Sequence, residues 1–240
     1  MKYMGSKTKL SSELLPIILK DRQENQYYIE PFAGGMNLIC NVSGNRIAND
    51  VNYYLIAMWK ELLTGWIPPK INKAEYYDIK ENQQNYPDYL VGWVGFNCSY
   101  SGKWFGGFAG ETKTKDGSIR DYQDEAIRNV LKQIPMLSGI TLNNGSYLDL
   151  LIPPNSIVYC DPPYNNTTKY VTDIDYDIFW DWIKKLSKQG HTVFVSEYNA
   201  PNDFKCIWQK EVKSSLSANG KSGGSKLSVE KLFQYDILHA

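Results

Sequence analysis

The densest chemical signal in the 240-residue chain is the run Ser156-Ile157-Val158-Tyr159-Cys160-Asp161-Pro162-Pro163-Tyr164. Its apolar part predicts a buried strand that delivers an acid at its carboxyl end. In open α/β sheets, ligands bind beyond that edge. The two prolines fix φ and remove two backbone donors. What is left is a rigid turn of acceptors: the Asp161 carboxylate and the carbonyls of Asp161 and Pro162. Tyr164 adds a flat ring. Rigid acceptors beside a ring suit a planar group that bears an amino donor, such as the exocyclic amine of a nucleobase. A lone Asp-Pro-Pro is a common strand-ending turn. The same turn followed by tyrosine, behind an apolar strand, is far more specific.

A second constellation lies near the start of the chain. Tyr27-Tyr28-Ile29-Glu30 reads as a short strand and runs into Pro31-Phe32-Ala33-Gly34-Gly35, a turn no ordinary helix contains. A helix is expected to resume near Asn37. Arg46-Ile47-Ala48 then reads as a strand ending in Asn49-Asp50. A strand, a glycine turn and an acid after the next strand make a βαβ unit. Gly34 and Gly35 let the backbone approach a bulky group closely. The dinucleotide pattern G-x-G-x-x-G is missing, because Met36-Asn37-Leu38 follows Gly35, so a pyrophosphate cofactor is the weaker reading. Asp50 can accept from two ribose hydroxyls, or it can cap a helix starting near Val51. Phe32 suits ligand contact and core packing equally. Lys7, taken alone, reads as a solvated surface lysine.

The elements that must position these residues follow from periodicity. Lys7–Leu19, Tyr53–Leu63, Asp121–Gln133 and Asp177–Leu186 carry apolar residues at helical spacing. Gly139–Leu142, Ser156–Tyr159, His191–Val195, Lys205–Val212 and Glu230–Leu238 read as strands. Between about Thr64 and Tyr122 the alternation breaks in a Tyr-, Asn-, Gly- and Trp-rich stretch, helical early and loop-like late. Ser214–Lys226 reads as a mobile Ser/Gly/Lys connector. The whole predicts an open, mostly parallel sheet with helices on both faces.

Composition bounds the function. A 42% hydrophobic content supports a packed core and excludes wholesale disorder. Lys and Arg number 26, equal to Asp and Glu, so the chain is no basic nucleic-acid coat. Local basic faces remain: Lys103, Lys113, Lys115 and Arg120 outnumber Glu111 and Asp116, and a second excess runs from Lys205 to Lys231. Four scattered cysteines and two histidines do not make a zinc pattern, and they read as reduced intracellular thiols. No membrane span or secretory leader is expected.

Lys2-Tyr3-Met4-Gly5-Ser6-Lys7, Tyr28-Ile29-Glu30-Pro31-Phe32-Ala33-Gly34-Gly35, Asn49-Asp50 and Asp161-Pro162-Pro163-Tyr164 stand in an order that resembles a known motif set. It is that of the Dam-type (D12 class) S-adenosylmethionine-dependent adenine-N6 DNA methyltransferases, and the resemblance covers nearly the whole chain. It implies a Rossmann-like seven-stranded α/β sheet, mostly parallel with one antiparallel strand, built from residues 1–63 and 123–240. A target-recognition region is inserted at 64–122. S-adenosylmethionine is the implied cofactor, held by Tyr3, Lys7, Glu30, Phe32, Ala33, Gly34, Gly35 and Asp50, with Asp161 beside it. Catalysis falls to Asp161, Pro162 and Tyr164, the last stacking on a flipped-out adenine. Asn97, Tyr100, Lys103 and Trp104 resemble a DNA-reading hairpin, and with Lys113 and Lys115 they are the expected nucleic-acid contacts. The implied partner is double-stranded DNA, without metal or membrane, in the cytoplasm of a bacterial cell, with phage or chromosomal origin not legible. Met36 stands where many relatives carry glycine, and Tyr3 where many carry tryptophan. An RNA adenine substrate and a non-catalytic binding role are the alternatives. The recognition sequence and any partner nuclease are not legible.

Overall fold

The computed structural model describes residues 1–163, 174–213 and 227–237. Tyr164 and the connector segment 214–226 lie outside them. The helices are α1 (Ser11–Ile18), α2 (Tyr53–Leu63), α3 (Lys73–Glu81), α4 (Asp88–Asn97), α5 (Tyr122–Gln133) and α6 (Tyr176–Lys188). The strands are β1 (Tyr28–Glu30), β2 (Arg46–Asp50), β3 (Glu111–Lys113), β4 (Ile119–Asp121), β5 (Thr141–Asn144), β6 (Ile157–Cys160), β7 (Thr192–Glu197), β8 (Phe204–Lys213) and β9 (Leu227–Tyr235). Seven strands form one sheet in the order β5-β2-β1-β6-β7-β9-β8. β1, β2 and β5 pair in parallel, as do β6 and β7, whereas β9 runs antiparallel to both β7 and β8. This is the mostly parallel sheet with one reversed strand that the family resemblance implies. The chain divides into two compact units, Met1–Leu151 and Ile152–Ala240.

In the first unit the core is built on α2 and α4. Asn52 caps α2 by accepting the Leu55 N–H at 2.9 Å, and Leu55, Ile56, Met58, Trp59 and Leu62 form its buried stripe. α4 is buried all round from Val91 to Asn97, which accounts for its lack of amphipathic patterning. The two helices approach so closely that a Cβ on Gly92 would lie 2.1 Å from the Tyr54 carbonyl oxygen. Gly95, one turn on, has its open face covered by the Trp104 ring. In the second unit, Asp175 caps α6 through the Asp177 and Ile178 N–H groups, and Phe179, Trp180, Ile183 and Leu186 are buried. β6 is buried at every residue, as a strand within a parallel sheet should be.

Two local expectations are corrected. The helix expected near Asn37 is only a single 3-10 turn, Ile39–Asn41. Met36 and Gly44 both take positive φ, +52° and +74°, and the chain between them is too short for a stable α-helix. The late part of 64–122, read as loop, contains the hairpin β3–β4. Almost all of its strand residues are exposed, so no apolar alternation marks it; its Asp116-Gly117 turn was the available signal. Next to the hairpin, Glu125 accepts from Arg120 Nε at 2.5 Å and Nη2 at 2.9 Å and from Lys2 Nζ at 2.5 Å. Both cations also sit over the Tyr122 ring, 4.7 Å and 4.8 Å from its centroid.

Gly92→Ala should destabilise the protein in urea unfolding by about 1–3 kcal/mol. The overpacking against Tyr54 outweighs the gain in helix propensity of about 1 kcal/mol. The donors on Glu125, Arg120 first and Lys2 second, hold its carboxyl down at about 2. Its stabilising pairing is therefore complete above the ordinary glutamate range and is lost as pH falls toward 2. Carboxyl-carbon NMR should show Glu125 titrating near that value, and a midpoint near 4.5 would contradict the pairing.

Candidate functional site

In the first unit the turn after β1 is tied to the end of β2. The Ala33 N–H donates to the Asn49 carbonyl at 2.8 Å, and Asn49 Nδ2 donates to the Pro31 carbonyl at 3.0 Å. Asp50 Oδ2 accepts the Gly34 N–H and its Oδ1 the Asn52 N–H, both at 2.9 Å. Trp59 Nε1 donates to the Gly34 carbonyl at 3.3 Å. Gln133 Nε2 donates to the carbonyls of Gly35 at 2.9 Å and Met36 at 3.0 Å. The turn is thus held on both sides by side chains from distant elements. Asn52, not Asp50, caps α2, so the capping alternative for Asp50 falls away. Burial pushes the Asp50 carboxyl up, and the Asn52 and Gly34 N–H groups pull it part of the way back. Each carboxylate oxygen spends one acceptor position on backbone and keeps another.

Gly34 has φ +48°, and a Cβ there would lie 2.7 Å from Tyr3 Cε1; a Cβ on Gly35 would lie 2.8 Å from Tyr3 Cβ. The bulky group lying against the two glycines within the chain is therefore Tyr3, whose ring also meets Phe96 at 5.4 Å. Met36 tolerates its left-handed φ in a fully buried position. Ala33 is buried within the turn. Phe32 is half-buried and packs its ring against Tyr147 at 5.1 Å. Glu30 is buried and accepts from the Tyr28 hydroxyl at 2.9 Å, two residues back on the same face of β1. Lys7 is 8% exposed, not the solvated lysine its sequence alone suggests, and its Nζ lies 3.4 Å from the Gly5 carbonyl.

In the second unit, buried β6 leads into half-buried Asp161, buried Pro162 and half-buried Pro163. Sequence reasoning missed the groups that hold this turn. The Tyr176 hydroxyl lies 2.6 Å from the Pro163 carbonyl oxygen and 2.7 Å from Glu197 Oε1. It also missed Gln133. The signal for Gln133 was present, since Gln123, Ala126, Val130 and Gln133 form the buried stripe of α5, and glutamine at either end of such a stripe calls for a backbone partner. Gln123 meets that demand by pairing with both backbone groups of Ile71, at 2.7 and 2.8 Å.

The residues expected to contact nucleic acid divide in two. Tyr100, Lys103, Lys113 and Lys115 are exposed. Asn97 is buried, with its Nδ2 3.3 Å from Met58 Sδ. Trp104 stacks on Tyr54 at 5.5 Å and meets Phe96 at 4.8 Å and Phe105 at 4.7 Å. Both point into the unit. Among the described residues, no helix is long and apolar enough to cross a membrane.

Comparison with known proteins agrees with the motif order. Modification methylase StsI of Streptococcus sanguinis is 25% identical over 195 residues, covering 72% of this chain. The chain spans only 29% of that relative's length. Among solved structures, a candidate methyltransferase, yhhF from Escherichia coli, aligns over 95% of this chain and 86% of its own at 12% identity and TM-score 0.36. Another, SMU.472, solved in complex with SAH, aligns over 98% of this chain and 54% of its own at 12% identity and TM-score 0.40. At such TM-scores these two add nothing to what the strand order shows. The model of the D12 class N6 adenine-specific DNA methyltransferases matches residues 3–216, and the chain belongs to that family.

Proposed function

We propose that the protein transfers a methyl group from S-adenosylmethionine to N6 of adenine in double-stranded DNA. The observation that carries this reading is the Asp161-Pro162-Pro163 turn at the carboxyl end of the fully buried strand β6, in a chain of this family. When bound, S-adenosylmethionine supplies a methyl group already activated by a cationic sulfur. The chain's own part is to bind, orient and accept hydrogen bonds. Asp50 suits the ribose diol, because each of its oxygens keeps an acceptor position after serving the backbone. The half-buried Phe32 ring offers an apolar face to an adenine ring. Tyr3, Glu30, Ala33, Gly34, Gly35 and buried Lys7 complete the proposed cofactor set.

At the substrate, the Asp161 carboxylate and the Pro162 carbonyl accept the two N6–H bonds. Adenine N6 is a poor nucleophile because its lone pair is delocalised into the ring. Accepting hydrogen bonds from both N–H groups favours a pyramidal nitrogen whose lone pair is free to attack. Catalysis of this kind is positioning and preorganised electrostatics. A stacked base cannot reach such a turn, so the adenine is flipped out of the duplex, with Tyr164 as its stacking partner. Exposed Tyr100, Lys103, Lys113 and Lys115 are the proposed contacts to DNA, within a recognition region at 64–122. Arg120 is less available to phosphate, since Glu125 engages it. Asn97 and Trp104 serve by shaping that surface from beneath.

The test is methyl transfer from labelled S-adenosylmethionine to unmethylated duplex DNA, with the product sequenced for N6-methyladenine. Label should appear on adenine within a short fixed sequence and fall by at least about a hundredfold in Asp161→Ala. Cofactor binding without label on DNA would overturn the proposal. Asp50→Ala should weaken S-adenosylmethionine binding in calorimetry by about 1.5–3 kcal/mol, the scale of hydrogen bonds to a charged acceptor. An unchanged Kd would remove Asp50 from the cofactor set.

A further inference from the structure

The Asp161-Pro162-Pro163 run is nearly without soft torsions. Both proline rings fix φ, and each residue that precedes a proline has its ψ held in the extended range. The torsion left open is ψ of Pro163, which sets the direction of the Pro163 carbonyl and of the peptide plane leading to Tyr164. A single phenol is placed to close it. The Tyr176 hydroxyl lies 2.6 Å from the Pro163 carbonyl oxygen and 2.7 Å from Glu197 Oε1, so its one proton faces two acceptors in a three-centre bond.

The supports of this phenol are themselves fixed. Tyr176 is the first residue of α6, directly after the cap Asp175. Its ring packs on Phe179 at 5.8 Å and Trp180 at 6.5 Å. Glu197 is the last residue of β7, only 2% exposed, and its other oxygen accepts the Tyr198 N–H. The carbonyl is thereby referenced to a helix start and a strand end at once.

We propose that Tyr176, backed by Glu197, is a positioning residue for the methyl transfer. It ties the rigid Asp161-Pro162-Pro163 run to the start of α6 and the end of β7, so that the Asp161 and Pro162 acceptors keep one position. This rests on the methyltransferase reading above.

Tyr176→Phe keeps the ring and removes only the hydroxyl. Its kcat for methyl transfer to DNA should fall about ten- to a hundredfold, the cost of a small misplacement at the reacting centre. The KM for S-adenosylmethionine should stay within about twofold. Tyr159→Phe is the control. It removes another buried hydroxyl of the same unit, 2.8 Å from Ser196 Oγ, and should leave kcat unchanged. A second readout needs no turnover. Pro163-Tyr164 is the only Pro-Tyr pair in the sequence. Carbonyl-labelled proline combined with nitrogen-labelled tyrosine therefore gives a single carbonyl resonance in NMR. That resonance should move upfield in Tyr176→Phe and stay in place in Tyr159→Phe. Full kcat in Tyr176→Phe, an equal loss in Tyr159→Phe, or an unmoved resonance overturns the proposal. A wild-type protein inactive on DNA would instead sink the methyltransferase reading, and the resonance alone would then decide whether the tie exists.

Discussion

Two adjacent side chains at the end of β2, Asn49 and Asp50, hold the glycine turn in shape, and much of the first unit is arranged around that hold. A turn with Gly34 and Met36 both at positive φ has no regular structure to satisfy its backbone. Asn49 and Asp50 take its early polar groups, while Trp59 and Gln133 take the later carbonyls. The arrangement is reciprocal. A desolvated carboxylate such as Asp50 is costly unless backbone donors reach it, and the turn supplies one of them. Loosening either partner would leave the other buried and unsatisfied, which costs more than the bond itself contributes.

The stretch after α2 obeys a different constraint, that of close packing. α4 is enclosed on all sides, Gly92 admits the backbone of α2, and Gly95 admits the ring of Trp104. The aromatic content concentrated there is largely structural. Tyr54, Phe96, Trp104, Phe105 and Tyr76 form one continuous set of ring contacts. The exposed lysines and Tyr100 lie on loops and on the hairpin, outside that packed set.

What was legible in the sequence is what local pattern encodes. The apolar run before Asp161 announced β6, the helical spacing of α5 and α6 announced those helices, and the strand–turn–strand–acid order announced the turn that Asp50 holds. What was not legible depends on contacts between residues far apart in the chain. Tyr176 reaches Pro163 and Glu197 across 13 and 21 positions, and Gln133 reaches Gly35 across 98. No periodicity records such pairings. The hairpin β3–β4 was missed for another reason: with both faces wet, it leaves no alternation to read. Asn97 and Trp104, which resemble part of a DNA-reading hairpin, turn inward through contacts that the local sequence does not show. Glycine there marks room for a ring and not exposure, because Trp104 covers Gly95.

Met36 has a consequence for how this chain can drift over evolutionary time. Its backbone is left-handed, at a cost of about 1–2 kcal/mol for a residue with a side chain. Its side chain is completely buried, so trimming it to nothing would forfeit about 2–5 kcal/mol of packing. Glycine answers the first demand and methionine the second. β-branched residues can fill the space but fail the first demand, since they resist positive φ most strongly. Accepted replacements at this position should therefore move between glycine with a filled-in neighbourhood and a long unbranched side chain. A switch from one to the other requires a compensating change in the residues that pack against it.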